Sequence, residues 1–391
     1  MKIFVLLPRF PYPLEKGDKL RAFNQVKQLS ENHKIHLCAL NDIQLKNESI
    51  EALKPYCQTI DVINLSKLNI VINIFKAYLT GKPLQVGYFY DIKARREITQ
   101  LIDKYKPDHI YCQLLRVAEY VKDIDIPKTL DYQDVFSKGV SRRSETSPFY
   151  MKPVLRLEYK RLLKYENKIF DWFDNKTIIS IPDRDFIPHP DKEKIVIVIN
   201  GVDTEFFKPM DIQKEYDLVF IGNMGYPPNI NAAEYLVKEI LPIVKSAKPE
   251  IKLTLAGAEP HASVLALKGE NVHVTGWVED IRECYAKARI FIAPMQIGTG
   301  LQNKLLEAMS MKIPSITSPL ANSALEAKDG EEILVGNSPR QFADHIIKLL
   351  DDKDFADTIA QKGYDFVHRN YDWNSATKKL ENIIIQSTPE E

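Results

Sequence analysis

Cysteine is scarce: the 391 residues hold four, Cys38, Cys57, Cys112 and Cys284, far apart and without a CxxC pair. That spacing excludes a cysteine-paired zinc site and a disulfide framework, and it suits a reducing compartment. Net charge is also missing, with 53 Lys plus Arg against 53 Asp plus Glu. No global positive field is left to hold nucleic acid phosphates. No run of ~18 uninterrupted apolar residues occurs, so no membrane-spanning helix is expected. The apolar run 3–7 is shorter than a signal-peptide core and stops at Pro8, which points to the cytoplasm. The eight histidines show no HExxH or HxH spacing, and no G-x-G-x-x-G fingerprint, Walker sequence, G-x-S-x-G elbow or solenoid repeat appears.

What remains is the composition of a folded soluble protein, 45% hydrophobic and 27% charged. Its length exceeds what one core usually fills, so two domains are expected. Residues 1–200 hold 33 basic and 25 acidic side chains, leaving 20 and 28 for residues 201–391. The basic first half suits an anionic acceptor or membrane surface, or is uneven solvated charge.

Short β-branched runs alternate with segments of helical period, the pattern of parallel strands joined by crossover helices. An α/β fold follows. Strands are expected at 3–7, 35–40, 60–65, 109–112, 128–131, 177–179 and 195–199. Helices are expected near 19–30, 68–79, 93–104 and 152–170, with a capping box from Ser180 to Asp183 opening another. A second unit shows strands at 218–221, 252–256, 272–274, 290–293 and 313–316. Its helices fall near 232–246, 280–287, 302–311, 339–350 and 355–369. The polar stretch 200–216 marks the boundary, giving domains 1–205 and 206–370, and the last helix, 373–385, is expected to cross back to the first domain. The 68–79 segment is broadly apolar. Packing on its own sheet is the ordinary fate of such a helix, and lying on a membrane surface is the alternative.

Open parallel sheets bind ligands beyond the carboxyl ends of their strands, so strand-to-helix junctions carry the functional weight. The first junction ends in Gly17, where backbone can approach a phosphate or sugar at a helix start; an ordinary turn glycine before an Asp18 cap is the bland alternative. The richest junction runs from Ala293 through Gly298, Thr299, Gly300, Leu301 and Gln302 to Lys304 and Glu307. A Gly-Thr-Gly backbone can wrap an anion with N–H groups. Lys304 and Glu307, three apart, share a helix face. The cation there suits a diphosphate and the carboxylate suits ribose hydroxyls, unless the two are an exposed ion pair. Gly222 and Asn223 follow the second unit's first strand, and Gly276 to Asp280, with Val278, follow another. Two Asp-x-Asp triplets, Asp123/Asp125 and Asp183/Asp185, sit in a polar link and a capped turn, so no metal is expected.

The stretch 298–316 resembles the donor-site signature of glycosyltransferase family 4, a glycine-rich loop before a helix reading roughly "LEAM…G.P.V". Asn200-Gly201-Val202-Asp203 with Phe206-Phe207-Lys208-Pro209 is similar to that family's "NGVD..F.P", and Gly276-Trp277-Val278-Glu279-Asp280 to its "G.V.D" loop. The segment 16–21, Pro227-Pro228-Asn229 and 301–304 resemble the branch of sugar transferases associated with PEP-CTERM and exosortase systems. The resemblance implies the GT-B fold, two Rossmann-like domains facing across a cleft, with retention of anomeric configuration. It implies that Glu307 binds ribose, while the paired Glu of the family is Thr299 here, and the common Arg after Ile-Gly is Asn223.

The activity so implied is transfer of a sugar from a nucleoside-diphosphate donor to a glycan or lipid-linked acceptor in cell-surface polysaccharide synthesis. No cofactor, metal or nucleic acid is expected. Lys304, the Gly300–Gln302 turn and the Gly17 loop would stabilise the departing diphosphate, and Asp131 or Asp134 would serve as base, with a helix cap as the commoner role for both. Peripheral contact with the inner face of the membrane would accompany a lipid-linked acceptor. The competing readings are a sugar-nucleotide epimerase of the same architecture and a non-catalytic nucleotide-binding homologue.

Overall fold

The computed structural model describes residues 1–14, 17–298 and 300–387. The chain divides into two compact units, Met1–Asn200 with Trp373–Glu391, and Gly201–Asp372.

The first unit carries a seven-stranded parallel sheet in the order β3-β2-β1-β4-β5-β6-β7. Its strands are β1 (Lys2–Leu7), β2 (Lys34–Asn41), β3 (Thr59–Asn64), β4 (His109–Gln113), β5 (Lys128–Gln133), β6 (Asn175–Ile178) and β7 (Val196–Ile197). β1 reads as an unbroken apolar run because both of its faces are covered. Phe4 and Leu6 join one core with Ile110, Leu130 and Leu162, while Ile3, Val5 and Leu7 join the other with Ala22, Val26, Leu380 and Ile384. This is the period-2 alternation of a strand, and it places the Trp373–Ser387 helix against the first sheet through Leu380 and Ile384.

The second unit holds six parallel strands in the order β10-β9-β8-β11-β12-β13. They are β8 (Tyr216–Ile221), β9 (Leu253–Ala256), β10 (Val272–Val274), β11 (Ala288–Ala293), β12 (Ser315–Thr317) and β13 (Leu334–Val335). Both sheets therefore reverse strand order once, between β1 and β4 and between β8 and β11, as doubly wound sheets do. Two sheets of parallel strands interleaved with helices make the α/β GT-B architecture that the motifs imply.

Several elements differ from the expectation. The two-residue β13 and the helices Leu84–Phe89 and Phe136–Thr146 carry too few periodic apolar positions to read in advance. The expected 232–246 helix begins at Pro227 and passes through a π turn, Leu236–Ile240, before Leu241–Ala247. Pro242 removes one N–H and its ring displaces the carbonyl four residues back, which accounts for the widened turn.

The Lys67–Thr80 helix is the main correction. It buries only Ile70 and Ala77, while Leu68, Val71, Ile72, Phe75, Tyr78 and Leu79 stand 42% to 69% exposed. Its roll is fixed by Asn69 Nδ2, which donates to Asp91 at 2.8 Å. Gly87 packs against Ala77 on the inner face, where a Cβ would lie 2.4 Å from the Ala77 methyl. Packing on its own sheet is thus not the fate of this apolar stripe.

Candidate active site

At the switch point of the second sheet, neighbouring crossovers leave in opposite directions and open a crevice beyond the strand ends. The loops there are 222–226, after β8, and, after β11, residues 294–298 and 300–302.

Gly222 is required by crowding. A Cβ on it would lie 2.6 Å from Asn229 Nδ2 and 3.1 Å from Lys304 Nζ. From the other side Gly257 crosses so closely that a Cβ on it would meet the Gly222 carbonyl oxygen at 1.9 Å. Gly298 and Gly300 hold φ of 107° and 86°, backbone that L side chains rarely adopt. Thr299 lies outside the described residues. The helix expected from about 301 begins at Asn303, with Gln302 as N-cap and its Nε2 donating to the Gly300 carbonyl at 3.2 Å. Leu301 is half-buried in this approach.

Lys304 sits in the first turn of that helix. Its Nζ donates to Asn229 Oδ1 and stands 4.9 Å from the Phe220 ring centroid. Among the described residues no carboxylate lies within ion-pair distance of it, so the exposed i,i+3 pair with Glu307 is not formed. Burial lowers its pKa to about 8, with the Glu307 charge opposing the fall. A half-buried, desolvated cation whose partners among the described residues are an amide oxygen and a ring face is under-compensated, and an anion beside it would restore the balance.

Glu307 lies one turn further along. Its Oε2 accepts the Tyr285 hydroxyl at 2.6 Å, and Oε1 has no protein partner among the described residues. Burial raises its pKa, and the Tyr285 hydrogen bond and Lys304 charge work against that rise. Tyr285 is itself set by edge contact with Phe207 at 6.2 Å and by Phe291 at 5.5 Å. An oriented carboxylate with one open oxygen can accept hydrogen bonds from vicinal hydroxyls.

The side chain of Asn223 is engaged locally. Nδ2 donates to Glu259 at 2.9 Å and Oδ1 accepts from Gly225 N at 2.8 Å, so it braces the loop. Val278 is half-buried after β10, next to Trp277, which is 74% exposed. Asp280 then caps the Ile281–Ala286 helix.

Asn229, Tyr285 and Gly257 complete this site and were not assigned from sequence. Asn229 lies within the quoted Pro227-Pro228-Asn229 motif, which carries no chemistry until Lys304 is seen to reach it. Nothing in the spacing links Tyr285 to Glu307.

In the first unit Gly17 opens the Gly17–Leu29 helix, and Glu15 and Lys16 lie outside the described residues. Asp131 is corrected outright. It is fully buried and takes Arg21 Nε at 2.6 Å and Nη2 at 3.2 Å, the Tyr111 hydroxyl at 2.9 Å and Thr177 Oγ1 at 3.1 Å. Every acceptor direction is filled, so it is a strut and neither a base nor a helix cap. Arg21 also donates to Asn200 Oδ1 at 2.9 Å, which ties the start of the 200–216 link to the Gly17–Leu29 helix. Asp134 is exposed at the end of β5. It does not cap the Phe136–Thr146 helix, whose Ser137 N donates to Glu166 Oε1 at 3.0 Å. Surrounding protein and the nearby Asp183 raise the Asp134 carboxyl above its ordinary value. Of the Asp-x-Asp residues, Asp123 pairs with Arg95 and Asp183 with Lys138.

Residues 215–352 match the family model described as Glycosyl transferases group 1. A 44.6 kDa protein in the cps region of Klebsiella pneumoniae is 25% identical over 408 aligned positions, spanning 98% of this chain and 99% of that protein. Among solved structures, Anabaena HepE in complex with UDP-glucose is similar with a TM-score of 0.67 at 12% identity, covering 98% of this chain and 99% of the other. A variant of S. aureus TarM in complex with α-GlcNAc-glycerol and UDP gives 0.66 at 14% identity, with 98% and 99% covered.

Proposed function

We infer that this chain, a family 4-like GT-B protein with a group 1 glycosyltransferase domain over residues 215–352, moves a sugar from a nucleoside-diphosphate donor to a glycan or lipid-linked acceptor. One observation carries the reading. Lys304, desolvated and without a carboxylate partner among the described residues, stands beside the Gly222 backbone, with Glu307 one turn on. A pyrophosphate and a ribose fit that spacing of cation and acceptor.

Departure of the nucleoside diphosphate leaves an oxocarbenium-like sugar and builds negative charge on the β-phosphate. Lys304 and the N–H groups of the Gly300–Gln302 turn stabilise that charge, and preorganised donors of this kind contribute several kcal/mol. The acceptor hydroxyl attacks on the face the diphosphate leaves, which retains configuration without a protein nucleophile or metal. Asp134, exposed at the end of β5, is the candidate base. Solved neighbours bound to UDP and UDP-glucose support a nucleotide-sugar donor. The cps-region relative supports a role in polysaccharide synthesis. A lipid-linked acceptor places the work at the inner face of the membrane, and the PEP-CTERM branch remains a reading of residues 16–21, 227–229 and 301–304.

The test is incubation with UDP-, GDP-, CDP- and TDP-sugars, with and without lipid-linked or glycan acceptors, analysed by mass and anomeric NMR. A glycosylated product with retained configuration is expected. An epimerised donor without acceptor would replace the reading with an isomerase, and nucleotide binding without product across the panel would replace it with a non-catalytic role.

A further inference from the structure

The six exposed apolar side chains of the Lys67–Thr80 helix fall at positions 68, 71, 72, 75, 78 and 79, one face of a 3.6-residue period. The helix contains no acid; its only charges are Lys67 and Lys76. At its C-terminal end it meets the Lys152–Phe170 helix, whose Arg161 donates to the Tyr78 carbonyl at 2.8 Å and covers the Tyr78 ring at 5.2 Å. That second helix is sorted by charge. Its two acids point inward: Glu158 accepts from Leu84 N at 2.9 Å, and Glu166 from Ser137 N. Its basic residues Arg156, Lys160, Lys164 and Lys168 are all exposed.

We propose that this pair of helices is a membrane-docking surface, the 67–80 stripe entering the headgroup boundary while the basic helix beside it meets anionic lipid. Charge complementarity selects that occupant. An apolar stripe flanked by Lys and Arg, with no exposed acid on either helix, matches an anionic lipid surface. A second copy of the chain would set the basic helices near one another. A helix of this length offers a face roughly 20 Å long and about 10 Å wide, on the order of 200 Å², far below the ~800 Å² per partner of a stable protein interface. The surface deepens the transferase reading by bringing the protein to a lipid-linked acceptor, yet it is tested independently of donor binding.

The full chain is sedimented with vesicles of phosphatidylcholine alone and of phosphatidylcholine mixed with phosphatidylglycerol, at low and high salt. Binding is expected to the anionic vesicles and to weaken as salt rises. Val71→Asp with Phe75→Asp, at exposed positions, should reduce the partition coefficient about tenfold or more. Lys160→Gln with Lys164→Gln should reduce it about 30-fold on anionic vesicles, at ~1 kcal/mol per charge. UDP-induced thermal shifts in the same preparations should be unchanged, which separates failure of docking from failure of the donor site. Absence of vesicle binding overturns the proposal, as does binding that neither double variant alters. A dimer in light scattering that Val71→Asp with Phe75→Asp dissolves, with vesicle binding intact, also overturns it and assigns the stripe to a second copy.

Discussion

A buried arginine and a half-buried lysine in this molecule have opposite surroundings. Arg21 in the first unit is gripped by both oxygens of Asp131 and also donates to Asn200. Burial pulls its pKa down, but the charges of Asp131 and Tyr111 lift it above the ordinary value. Lys304 in the second unit has an amide oxygen and a ring face, and burial wins, lowering it to about 8. The saturated cation is structural. The under-compensated one is arranged for a charge that arrives from outside, and that difference separates a strut from a binding group more surely than residue type does.

Breaking the saturated pair should have the largest effect. Asp131→Ala leaves the Arg21 charge buried and unpaired, with an expected loss of about 3–5 kcal/mol in urea unfolding. A loss below 1 kcal/mol would show that the pair is not the strut described. Gly222→Ala comes next, because its methyl must displace Asn229 and Lys304. Overpacking of that kind costs about 1–3 kcal/mol, and nucleotide-induced stabilisation should fall with it; an unperturbed variant that binds normally would remove the crowded loop from the site. Tyr285→Phe is the mildest. It removes one hydrogen bond to Glu307, worth about 1 kcal/mol, and should weaken nucleoside diphosphate binding more than it weakens inorganic pyrophosphate, since the carboxylate is assigned to the pentose.

The same contrast explains what could be read in advance. The parallel α/β class and most strand positions follow from short β-branched runs alternating with helical segments, while strand order is set by long-range pairing that leaves no local signal; the Gly298 to Glu307 junction stands out because glycine, lysine and glutamate types are distinctive at a strand end. Asp131 looked equivalent to Asp134, since both sit at a strand end; only the structure shows that Arg21, more than a hundred positions away in sequence, fills one and not the other. Lys304 and Glu307 were legible as sharing a face, but their partners Asn229 and Tyr285 come from other helices and leave no local signal. The 67–80 helix was apolar enough to suggest a core, and its outward roll is set by Asn69 and Gly87, contacts with no periodic signature.

Lys304 gives the most direct test. Its folded pKa of about 8 lies below the unfolded value of 10.5, so the folded state is favoured as pH rises through about 8, and Lys304→Met should melt no lower than wild type at pH 7. Bound pyrophosphate needs the protonated lysine. Calorimetric titration of UDP, chosen as the nucleotide of the solved neighbours, into wild type and Lys304→Met at pH 7 and pH 9 therefore reads the central claim. Wild-type affinity should fall about tenfold between the two values. The variant should bind about 10- to 100-fold more weakly at pH 7, the loss of one charge-assisted contact, with no change at pH 9. Equal affinities for the two proteins at pH 7, with the same pH profile, would contradict it.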